Sequence, residues 1–92
     1  MDELYQAEWC PHSSRVRQRL TELGVSFIAR QVPADPGDRE ELRRKTGSDE
    51  IPALVLEDGT VVNDSAEEII GHLDSRYSER ADVDDHRDRA TA

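Results

Sequence analysis

Leu4-Tyr5-Gln6-Ala7-Glu8-Trp9-Cys10-Pro11-His12-Ser13 carries the only cysteine of the chain. Leu4 to Ala7 read as a short apolar strand. Pro11 suits the first turn of a helix, where its missing N–H would lack a partner in any case. Val16, Leu20 and Leu23 follow at i, i+4 and i+7, one apolar stripe on a helix. Arg15, Arg17, Arg19 and Glu22 make up its wet face. Cys10 therefore stands where a strand gives way to a helix. The free N–H groups of the first helical turn face that position. They stabilise a thiolate, the reactive form of cysteine. With Cys10 as N-cap, the N–H groups of His12 and Ser13 point back at its sulfur. The stretch favours chemistry over packing.

The neighbours of Cys10 shape what that chemistry can be. Ser13 occupies the place where a C-x-x-C motif would carry its second thiol. It can serve as a polar first-turn residue or donate to a thiolate, but it cannot resolve a mixed disulfide. His12 would assist a thiolate as a cation and does little as a neutral ring. Trp9, the only tryptophan, reads equally as a core residue or a pocket wall.

Further along, Gly24 closes the first helix, and residues 25–30 read as a second strand. Residues 33–37 form a loop. Asp38 is expected to cap a short helix that Gly47 ends. Residues 49–52 lead into a third strand over 53–57. Asp58-Gly59 is a hairpin signal, and residues 60–63 return as a fourth strand. Asp64 is expected to cap a third helix, with Glu67 completing a capping box. Ala66, Ile69, Ile70, Leu73 and Tyr77 form its buried stripe. Residues 78–92 are mostly charged or small and are expected to form a disordered acidic tail. The order is β-α-β-α-β-β-α. A right-handed crossover makes the first two strands parallel, and the last two form a hairpin. The fold class is α/β, a four-stranded mixed sheet flanked by helices, in one domain over residues 1–77.

The chain has 92 residues, with 21 acidic against 12 basic side chains and a formal net charge of −9. That balance argues against nucleic acid, whose phosphates require a basic face, and against anionic membrane surfaces. A single cysteine allows neither an intrachain disulfide nor a cysteine-rich zinc site. A free thiol fits a reducing compartment. The acidic start, Met1-Asp2-Glu3, lacks the basic and apolar regions of a secretory signal. No apolar run approaches the ~20 residues that span a bilayer. The expectation is a cytoplasmic monomer without a metal site.

The element order, Trp9-Cys10-Pro11-His12-Ser13 after the first strand, and Ile51-Pro52-Ala53-Leu54 before the third resemble the thioredoxin fold. Within it the chain is similar to glutaredoxins and to the N-terminal domain of glutathione S-transferases, over residues 3 to 77. The resemblance implies that Cys10 is the catalytic cysteine and that Pro52 is the family's cis-proline. From spacing alone, Pro52 reads as an ordinary trans proline opening a strand, and the case for cis rests on the resemblance. The resemblance further implies that the backbone of Ile51 pairs with the cysteinyl part of a glutathione-like thiol. Asp64 and Ser65 would hold the γ-glutamyl end, in keeping with the affinity of helix N-termini for carboxylates.

These readings converge on a monothiol glutaredoxin-like oxidoreductase. It would reduce mixed disulfides between proteins and small thiols, with glutathione or another low-molecular-weight thiol as co-substrate. Two alternatives stand beside it. One is a non-catalytic thiol- or peptide-binding module like a transferase N-terminal domain. The other is a monothiol glutaredoxin that shares an iron–sulfur cluster. Glycine and phenylalanine, which typically separate cysteine and serine in that class, are here Pro11 and His12.

Overall fold

Successive side chains of a strand point to opposite faces, and the core divides accordingly. The computed structural model describes residues 1–90. On the first strand, β1 (Asp2–Gln6), Leu4 and Tyr5 enter different buried clusters. Leu4 joins Val16, Leu20, Leu54, Ile69 and Leu73 on one side of the sheet. Tyr5 joins Leu42, Ala53 and Val55 on the other. Helices α1 (Pro11–Glu22) and α3 (Ala66–Arg76) supply the first cluster, and α2 (Glu40–Thr46) the second. Covering both faces is what an α/β layer structure requires.

The sheet has the order β2-β1-β3-β4, with β2 at Phe27–Gln31, β3 at Ala53–Val55 and β4 at Val61–Val62. β1 and β2 are parallel, with Leu4 opposite Ala29. β3 runs antiparallel to both β1 and β4. This is the mixed, thioredoxin-like sheet that the element order predicts.

Boundaries differ where a polar side chain finds an unforeseen partner. β1 begins at Asp2 because Asp2 Oδ1 accepts the backbone N–H of Glu57 at 3.0 Å. Glu3 Oε1 in turn accepts from Arg30 Nε at 2.7 Å. α1 ends with Val25 N–H donating to Leu20 O at 2.9 Å, while Gly24 takes φ 67°. Asp38 does not cap α2. It lies in a 3-10 turn (Pro36–Asp38), and Arg39 precedes the helix with no side-chain cap bond. Arg39 is buried instead, donating to the carbonyls of Pro33, Ala34 and Asp49. Asp64 does not cap α3 either. The helix starts one residue later, and Ser65 Oγ accepts the N–H of Glu68 at 3.1 Å. Glu67 pairs with Arg15 rather than closing a capping box.

The expected disordered tail is helical over Val83–Ala90 (α4); residues 91–92 lie outside the described residues. A backbone hydrogen bond and a set of ion pairs do what apolar burial cannot. Arg80 N–H donates to Glu22 O at 2.9 Å, and Arg87 Nε donates to Glu22 Oε2 at 3.1 Å. Arg87 also meets Glu79 at 2.5 Å. Arg19 gathers Glu22, Asp74 and Glu79 within 3.1 Å. The net acidity of the segment hides an alternation of sign that suits an ion network. Among the described residues, no helix is long and apolar enough to cross a membrane.

Candidate functional site

Cys10 leaves β1 through a tight turn, its N–H donating to Ala7 O at 3.1 Å. Extended dihedrals, φ −82° and ψ 118°, make it the N-cap of α1, with Pro11 next. Its Sγ accepts the backbone N–H of Ser13 at 3.5 Å. The side chain is 6% exposed. Burial pushes the thiol pKa up. The Ser13 side chain, the backbone N–H groups of Ser13 and His12, and the charge of Arg17 pull it down, and they prevail. The Ser13 hydroxyl is buried and makes no hydrogen bond of full geometry. Its effect on Sγ is that of a nearby dipole.

Arg17 is the member of this site that the sequence pattern hides. It falls seven residues after Cys10, two helical turns on, and reads as part of the wet face. In the structure it is half-buried. Its Nη1 donates to Gln6 Oε1 and, at 3.4 Å, to Ala7 O, and it faces Glu8 Oε2 at 3.2 Å. It ties down the loop that presents the thiol and brings a positive charge towards it. The i+7 spacing from the cap was the available signal.

A groove of about 190 Å³ runs between the start of α1 and the start of α3. His12, Ile51, Pro52, Asp64 and Ser65 all line it, together with Glu50, Asn63, Ala66 and Glu67. The structure thus brings together five residues that the sequence places 53 positions apart at the extremes, His12 to Ser65. The Ile51–Pro52 bond is cis, and Pro52 is buried. Cys10, Trp9, Pro11 and Ser13 are not walls of this groove. His12, two residues beyond the thiol, links the two. Trp9 neither packs in the core nor walls the groove. It is 65% exposed. His12 is exposed, and its backbone N–H acts on the thiol.

A larger cavity, about 310 Å³, lies on the other face between β1 and α2. Tyr5, Arg39, Leu42 and Arg44 are among its walls, and it contains no thiol or imidazole. Size alone does not make it the reactive site. Among the described residues, no three His, Cys, Asp or Glu side chains are grouped to hold a metal ion.

The family model for the glutathione S-transferase N-terminal domain matches residues 4–81. The chain belongs to this family. The domain is also similar to a glutaredoxin of Pseudomonas aeruginosa, at 37% identity over 51 residues. That match takes in 55% of this chain and 61% of the relative, so the chain spans less than two thirds of the relative's length. Two solved structures extend the likeness. A glutathione S-transferase from Methylobacillus flagellatus with glutathione bound superposes at TM-score 0.70 and 26% identity, covering 83% of this chain and 37% of that one. A transferase-domain protein from Marinobacter aquaeolei also gives TM-score 0.70 and 26% identity, over 86% and 40% of the two chains. The domain is a thioredoxin-fold, glutaredoxin-like member of the glutathione S-transferase N-terminal family.

Proposed function

We propose that the domain is a monothiol thiol–disulfide oxidoreductase, with Cys10 as nucleophile and glutathione or another small thiol as co-substrate. The observation that carries this reading is the lone thiol at the N-cap of α1, its pKa lowered despite burial. The thiolate attacks the small-thiol sulfur of a protein mixed disulfide. That S–S bond breaks, and the protein sulfur leaves as a thiolate and takes a proton. Cys10 now holds the small thiol. The thiolate of a second small-thiol molecule attacks that thiol's sulfur. It releases the symmetric small-thiol disulfide and restores Cys10. The net change is oxidation of one small-thiol sulfur, that of the second molecule, and reduction of one protein sulfur, and no second protein cysteine is needed.

The other residues have supporting roles in this reading. Ile51, held beside the cis Pro52, offers its backbone to the cysteinyl part of the small thiol. Asp64 and the N-terminus of α3 at Ser65 hold its amino-acid end. Trp9, at 65% exposure, is placed to meet the protein half of a mixed disulfide. The domain acts as a monomer in the cytoplasm.

Reduction of a glutathionylated peptide tests this reading. Wild type turns over and Cys10→Ser falls to the uncatalysed rate. Equal rates for wild type and Cys10→Ser, or no turnover by wild type with any of several small thiols, would sink the proposal. One observation favours a second reading, a binding module without turnover: Cys10 is only 6% exposed and is not a wall of the groove. A thiol that titrates like free cysteine would support that alternative.

A further inference from the structure

The groove's charge constrains which small thiol it can hold. Three of its walls are carboxylates: Glu50, Asp64 and Glu67. Among the described residues, neither lysine nor arginine lines it. Arg15, Arg39 and Arg43 are already paired, Arg15 with the groove's own Glu67. Arg15 is held by Glu67 at 2.5 Å. Arg43 donates to the carbonyls of Pro36 and Gly37 at 2.8 and 2.9 Å. Arg39 is buried against backbone carbonyls, Asp49 O among them. Lys45, the only lysine, is not a wall.

The groove's walls differ in what they can match. The first N–H groups of α3 attract one carboxylate, and Asp64 attracts an ammonium. An α-amino-acid head group carries both. Glu50 also lines the groove, immediately before Ile51. A thiol whose cysteinyl part adds to Ile51 as an antiparallel strand places its next residue opposite Glu50. In glutathione that residue is glycine with a free carboxylate. Two like charges then face each other with no cation between them.

We infer that the groove selects a thiol with an amino-acid head and a neutral or cationic far end, Glu50 discriminating against the second carboxylate of glutathione. The inference rests on the exchange reading above. A surface contact between like charges disfavours binding by about fivefold.

The test uses one peptide carried as its mixed disulfide with glutathione or with glutathione whose glycyl carboxylate is an ethyl ester. Attack by wild-type Cys10 is followed in single turnover, each rate divided by that of free cysteine. The ester is expected to react about fivefold faster in dilute buffer, with the gap closing in molar salt. Glu50→Gln removes most of the preference and Glu50→Lys reverses it. An equal or faster rate with glutathione overturns the inference and leaves the exchange reading standing. An ester preference that survives Glu50→Gln also overturns it. If neither mixed disulfide reacts faster with the protein than with free cysteine, the exchange reading fails and takes this inference with it.

Discussion

The backbone N–H of Ser13 points at Cys10 Sγ across 3.5 Å. This contact aligns the first turn of α1 with the only sulfur able to form a thiolate.

A thiol favoured as thiolate loses its proton at lower pH than free cysteine. Alkylation of Cys10 by iodoacetamide should rise with pH about a midpoint below that of a free thiol, measured on a cysteine peptide alongside. Below the midpoint the sulfur is protonated and inert. Ser13→Ala keeps the backbone N–H, removes the hydroxyl dipole and shifts the midpoint upward. A midpoint unchanged by this substitution would deny the hydroxyl any part.

Arg17 acts on the same sulfur by charge. Arg17→Met keeps the stem and removes the guanidinium. The alkylation midpoint should rise, and raising the salt should then move it less than in wild type. The variant also gives up the bonds to Gln6 and Ala7, so unfolding in urea should show a loss of about 1–2 kcal/mol.

Ser65 and Asp64 can be separated by stability. Ser65 caps α3, so Ser65→Ala should cost about 1 kcal/mol in urea unfolding. Asp64 is exposed and caps nothing. Asp64→Ala should leave stability within about 0.5 kcal/mol while weakening saturation by the small thiol. The opposite pattern would return the cap to Asp64.

Glu22 provides a pH test. Its carboxyl is held below the usual range, first by Arg87 and then by Arg19, against burial. A carboxyl depressed by folding adds stability above its unfolded pKa and loses it as pH falls through the folded value. Glu22→Gln should therefore cost about 1–2 kcal/mol at pH 7, a figure kept low because Arg87 is half-exposed. The gap from wild type should narrow in acid, below the range where an ordinary glutamate protonates. Amide exchange in α4 should speed up in the variant. A gap that persists unchanged at low pH would mean that the charge is not what holds α4.

The layered sheet was legible because its signals are local and agree with one another. Val16, Leu20 and Leu23 mark one helix face, Gly24 its end, and Asp58-Gly59 the hairpin. The thiol's cap position could be read from Pro11. What escaped depends on partners distant in sequence. Arg17 looks solvated until Gln6 and Ala7 fold back on it. Residues 83–90 look too polar to order until Glu22, 65 positions away from Arg87, is found beneath them. The choice of Ser65 over Asp64 as cap is a one-residue shift between two good candidates, decided by where β4 delivers the chain.

Helix α1 has a reactive end and a mechanical end. Its 12 residues put about 18 Å between them, roughly two Debye lengths in physiological salt. The clasp at Glu22 is thus electrically insulated from the thiol at Cys10. Substitutions, tags or fused partners can be placed on α4 and read as changes in anchoring, with the chemistry at the far end left as an undisturbed reference.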